Sequence, residues 1–120
     1  MKIKYFLISL VFCSLGFSQQ ILFLTPNQGM QGTSDLEVTL IASGVNFYDA
    51  YTYHDVYFSG DGLNAHNEQA VSQTILQFDL DIESWTSVGD YTVYLHQNSD
   101  WGDDWTISMS NAFIVIENTA

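Results

Sequence analysis

Two stretches concentrate the residue types that proteins use to hold ligands. Tyr48, Asp49, Tyr51, Tyr53, His54 and Asp55 crowd the first, and Asp100, Trp101, Asp103, Asp104 and Trp105 the second. Rigid aromatic rings offer large contact area at low entropy cost, and neighbouring carboxylates accept hydrogen bonds. Tyr48, Tyr51, Tyr53, Trp101 and Trp105 are therefore the candidate ligand-binding residues. The same rings would stack on a sugar, or fold back to cap the open end of a core. Asp49, Asp55, Asp100, Asp103 and Asp104 offer the hard oxygens that Ca²⁺ takes in numbers of about six to eight, so Ca²⁺ is a candidate metal, although the spacing matches no EF-hand loop. His54, His66 and His96 lack zinc-type spacing, and the single Cys13 lies far from them, so no transition-metal site is expected from the sequence.

Signatures of catalysis are missing. The chain has no Gly-x-Ser-x-Gly elbow, no phosphate-binding glycine loop and no His-Glu-x-x-His helix. Paired carboxylates could in principle serve a glycoside hydrolase, but a single small domain offers little cleft for them. The expectation is a protein that is not an enzyme, and a small secreted hydrolase is the remotest alternative.

Charge narrows the partners. The 120 residues carry 14 Asp plus Glu against two basic residues, Lys2 and Lys4. Both lysines precede the apolar run Tyr5 to Phe12, which leads to Gly16, Phe17 and Ser18. This pattern reads as a signal peptide, residues 1–18, followed by one domain, residues 19–120. The apolar run is too short to span a membrane, and the bulky Phe12 before Cys13 argues against a lipid anchor. Cleavage after Ser18 would leave all 14 acids with no Lys or Arg to balance them. Such a negative field excludes nucleic acid and anionic lipid as partners. It would also remove the one cysteine, so the exported fold must rest on its core rather than on a disulfide.

The elements that must position the two stretches are strands. Leu36, Val38 and Leu40 alternate with Glu37 and Thr39, and Leu76, Phe78, Leu80 and Ile82 alternate with Gln77, Asp79, Asp81 and Glu83. Period-two alternation marks half-buried strands, whose polar members here would form a solvated acidic row. Further strands are expected at Ile21 to Leu24, at Val56 to Phe58, at Leu63 to Ala65 as a short edge, at Tyr91 to His96, and from Trp105 or Ile107 to Ile116. The expected fold is an all-β, immunoglobulin-like sandwich of about seven strands. Leu36, Val38, Leu40, Phe58, Phe78, Leu80, Tyr91, Val93 and Phe113 are its expected core. In that topology the Tyr48–Asp55 and Gln97–Asp104 loops emerge at one end and meet. Tyr91, at the start of its strand, is placed to pin a corner with its hydroxyl.

The order of small motifs resembles one family. Pro26-Asn27-Gln28-Gly29 with Gln31-Gly32, then Leu36-Glu37-Val38-Thr39-Leu40 and Gly44-Val45-Asn46-Phe47, looks like the opening of an IPT/TIG domain. Val56-Tyr57-Phe58-Ser59-Gly60, Gly89-Asp90-Tyr91-Thr92-Val93 and Asn111-Ala112-Phe113-Ile114-Val115 are similar to its later strands, in family order. The two aromatic loops look longer than a minimal member needs. The resemblance implies a secreted, extracellular or cell-surface binding and spacer module, or a periplasmic one. It implies no catalytic residues and an extracellular protein or glycan as partner. A carbohydrate-binding module using Tyr51, Tyr53, Trp101 and Trp105 is the alternative from a different class.

Overall fold

A computed structural model describes residues 18–119. The expected signal segment lies outside the described residues except for Ser18. The described residues form an all-β sandwich of eight strands: β1 Gln20–Thr25, β2 Gln28–Met30, β3 Leu36–Ser43, β4 Thr52–Phe58, β5 Leu63–Ala70, β6 Ile75–Ile82, β7 Gly89–Ser99 and β8 Trp105–Ile116. One sheet runs β1-β3-β6-β5 and the other β2-β8-β7-β4. This is the immunoglobulin-like arrangement, with the first strand divided between the sheets so that β1 pairs antiparallel with β3 and β2 pairs parallel with β8.

Alternation explains the core. Leu76, Phe78, Leu80 and Ile82 point inward from β6, and Tyr91, Val93, Leu95 and Gln97 from β7. Phe58 sits between the sheets with its ring 6.2 Å from Phe78 and 5.9 Å from Phe113. Of the expected core residues, all are buried except Leu36, which is half-buried and packs against the rest. Edge-on aromatic packing of this kind adds to the area that the rings bury. Tyr91 makes the expected corner, since its buried ring places the hydroxyl to donate to the Ser87 carbonyl at 2.5 Å.

Four strands differ from expectation, each because backbone pairing outweighs side-chain pattern. Gln28–Met30 becomes a strand by parallel register with Ile114, Val115 and Ile116. Gly29 leaves room for the core behind this strand, as a Cβ there would stand 2.6 Å from Ile82 Cδ1. β5 continues to Ala70 although His66 to Gln69 are all polar, because it pairs along β6 and absorbs a register shift between His66 and Gln69, with Asn67 at a φ of 58°. β4 begins at Thr52 and β7 ends at Ser99, pairing Thr52 with Ser99 and Tyr53 with Asn98. The two aromatic loops therefore shrink to 44–51 and 100–104.

Candidate functional site

The β3–β4 loop, the β5–β6 turn and the β7–β8 loop converge at one end of the sandwich. Phe47 N–H donates to the Gln73 carbonyl at 2.8 Å, the Tyr48 hydroxyl donates to the Val71 carbonyl, and Asp100 N–H donates to the Tyr51 carbonyl at 3.0 Å. Carboxylate contacts to backbone stiffen the two longer loops. The Asp49 carboxylate accepts from Tyr51 N–H at 3.0 Å, and that of Asp104 accepts from Ser99 N–H at 2.8 Å.

On this frame Tyr51 and Trp101, from different loops, meet edge to face with ring centroids 5.9 Å apart. Both are exposed, Trp101 to 77%. Tyr48, from the same loop as Tyr51, is exposed too. Tyr53 is also exposed, but on the outer face of β4 rather than in a loop. Trp105 goes the other way: it is partly buried against the core, 5.9 Å from the His54 ring. The candidate ligand residues thus divide into a surface group, Tyr48, Tyr51, Tyr53 and Trp101, and one cap, Trp105.

The candidate Ca²⁺ ligands serve separate local contacts. Asp49 and Asp104 cap their loops. Asp55, on the outer face of β4, accepts from Asn98 Nδ2 at 3.3 Å. Asp100 contributes its amide, and Asp103 its carbonyl, to loop bonding. Among the described residues, the one group of three or more His, Asp and Glu side chains with donor atoms all within 4.8 Å of one another lies elsewhere, at Asp35, His66 and Asp79.

Sequence reasoning missed the support beneath the rings. His54 points inward from β4, edge-on to Phe47 with centroids 4.8 Å apart. Its Nε2 lies 3.0 Å from Gln97 Oε1, and the buried Gln97 donates from its own Nε2 to the Asp103 carbonyl at 2.8 Å. The Asp103 carbonyl fixes which way the amide faces, so Gln97 Oε1 must accept from His54. This puts the His54 proton on Nε2 and leaves Nδ1 as an acceptor. Burial lowers the His54 pKa below its ordinary 6.5, against the opposing pull of the Gln97 hydrogen bond and of Asp49 and Asp55. His54 is therefore neutral at pH 7 and acts as a strut between β4 and the β7–β8 loop. The inward alternation Thr52, His54, Val56, Phe58 was the available signal, masked because two of its members are polar.

Beside His54, between the edges of β4 and β5, a cleft of about 310 Å³ opens, lined by Phe47, Thr52, Tyr53, Asp55, Glu68 and Leu76 among others. This is at the small end of the range for ligand sites, roughly 300–1,000 Å³. Glu68 closes its floor by accepting from Val56 N–H at 3.1 Å, which satisfies a backbone donor of an edge strand. The cleft mixes apolar walls with two carboxylates and the His54 ring, and no Lys or Arg lines it. Such a lining suits a ligand that donates hydrogen bonds, such as one rich in hydroxyls.

Comparison of the chain with family models, with curated proteins and with solved structures finds no match.

Proposed function

We propose that this chain is a secreted, non-catalytic binding module of the IPT/TIG immunoglobulin-like type, and that its ligand surface is the aromatic end of the sandwich. The observation that carries this reading is the meeting of Tyr51 and Trp101, two exposed rings from separate loops held by a hydrogen-bonded frame. Leaving an indole 77% exposed in water has a cost that a bound partner would remove. The non-catalytic reading draws on His54. Its ring is held by the Gln97 amide and packs against the Phe47 and Trp105 rings, which gives it a structural role.

A glycan is the ligand class favoured within this reading, because the exposed Trp101 and Tyr51 rings offer stacking faces and the cleft lined by Tyr53, Asp55 and Glu68 offers carboxylate acceptors for hydroxyls. A glycan array with the wild type and Trp101→Ala tests it. Binding that the substitution abolishes is the expected result. Absence of glycan binding by the wild type would turn the search to an extracellular protein, with the same substitution as the control. Turnover on a broad hydrolase panel, lost on an Asp-to-Asn change, would replace the binding reading with the hydrolase. Export is tested separately by mass spectrometry of the secreted chain, for which Gln19 is the expected first residue.

A further inference from the structure

The outer face of the β1-β3-β6-β5 sheet carries acids in adjoining positions. Asp79 stands opposite Glu37 of β3 on one side and His66 of β5 on the other. Asp81 lies two residues along on the same face, and Asp35, just before β3, donates its amide to Asp81 Oδ1 at 2.8 Å. Like charges placed across and along a sheet repel one another. No Lys or Arg occurs in residues 18–119, so no ammonium or guanidinium in that span can relieve them.

His66 enters this group in an unusual way. Its Nε2 lies 3.4 Å from Asp35 Oδ1 and 3.2 Å from Asp81 Oδ2. That nitrogen is buried, yet neither oxygen meets it with hydrogen-bond geometry and it has no other partner. A buried polar atom left in this state normally carries a cost that the structure must repay. The spacing has a further meaning. A tetrahedral ion with ligand bonds of about 2.0–2.1 Å holds neighbouring donor atoms about 3.3–3.4 Å apart. His66 Nε2 and Asp35 Oδ1, at 3.4 Å, already stand at that separation.

We propose that Asp35, His66 and Asp79, with Asp81 beside them, form a binding site for a divalent transition-metal ion of the Zn²⁺ class. One donor atom each from Asp35, His66 and Asp79 lies within 4.8 Å of the others, close enough for a modest inward shift to place them around one ion. The imidazole sets the metal class, because Ca²⁺ and Mg²⁺ take oxygen ligands whereas Zn²⁺ takes mixed nitrogen and oxygen sets. The ion would tie the β2–β3 connection to β5 and β6 and supply the missing positive charge. The site lies at the opposite end of β3 from the aromatic loops, so it is independent of the ligand surface proposed above.

The test is calorimetric titration of the secreted protein with Zn²⁺, repeated with Ca²⁺ and with Mg²⁺. Saturable binding of one Zn²⁺ per chain is expected, with a rise in melting temperature that a chelator reverses and that equal concentrations of Ca²⁺ or Mg²⁺ do not produce. His66→Gln and Asp35→Asn should each weaken Zn²⁺ binding by about tenfold or more. His96→Gln, on the other sheet, should leave it unchanged. Circular dichroism checks each fold, and Asp35→Asn decides alone if His66→Gln fails to fold, because the Asp35 side chain is 71% exposed. Wild-type Zn²⁺ affinity in the deciding variant, or equal responses to Zn²⁺ and Ca²⁺, would overturn the proposal.

Discussion

At the end of the sandwich formed by the β2–β3, β4–β5 and β6–β7 connections, side chains fold inward and bond to backbone. Thr86 is fully buried, its hydroxyl donating to the Gly62 carbonyl at 3.2 Å and its own carbonyl accepting from Gln31 Nε2 at 2.7 Å. Tyr91 pins the same corner through Ser87. At the opposite end, the loops also bond backbone to backbone, but their rings turn outward at Tyr48, Tyr51 and Trp101, over a buried His54–Gln97 strut. Trp85 and Val88 are exposed at the first end too, yet among the described residues no ring from a second loop meets Trp85. The contrast teaches that exposure alone does not mark a binding surface. What distinguishes the aromatic end is exposed rings joined across loops above a fixed polar support.

The comparison assumes one core shared by both ends, and the largest expected effect tests that assumption. Phe78→Ala should cost about 3–5 kcal/mol in denaturant unfolding, since it empties the contact between the sheets. A loss below about 1 kcal/mol would mean that the ends are stabilised separately.

Removing the strut comes next. Gln97→Ala should cost about 1–3 kcal/mol, because it strands the His54 ring nitrogen and the Asp103 carbonyl without partners. It should also speed amide hydrogen exchange in residues 100–104 while leaving the Thr86 corner protected. Equal deprotection at both ends would break the distinction between them. At the corner, Tyr91→Phe removes one hydrogen bond and keeps the ring, so a smaller loss of about 0.5–1.5 kcal/mol is expected from the same unfolding measurement.

Acidity probes the strut more gently. Because burial lowers the His54 pKa in the folded chain below 6.5, the unfolded chain binds the extra proton more readily in the window beneath 6.5. The stability that this neutral histidine contributes is fully present above pH 6.5 and is lost as pH falls from there through the folded value. The stability gap between wild type and His54→Gln, measured by thermal melting from pH 8 to pH 5, should therefore narrow on acidification. Taking the difference cancels the shared relief of repulsion as carboxylates protonate. A gap that widens would mean that His54 is held charged.

The smallest effect on stability should accompany the largest on binding. Trp101→Ala should change unfolding free energy by no more than about 0.5 kcal/mol, as expected of an exposed side chain, while abolishing recognition of any ligand held at the aromatic end. A loss above about 1 kcal/mol would make Trp101 a structural cap like Trp105 and sharpen the comparison in the other direction.

Periodicity determined the all-β class, the inward faces of β3, β6 and β7, and the Tyr91 corner. Those features rest on alternation within one strand, which a sequence displays directly. Chain order also placed the two aromatic loops at one end. The strand limits of β4 and β5 were not legible, because edge strands are specified by backbone pairing with a neighbour and carry polar residues on both faces. His54 and His66 show the deeper limit. Forty-three residues separate His54 from Gln97, and Asp35 from His66 thirty-one. Only the register of β4 on β7, and of β5 on β6 beside β3, gives one histidine a buried amide and the other a set of carboxylates. The residue types were fixed by the sequence, but the chemistry of each ring depends on neighbours that only folding brings within a few ångströms.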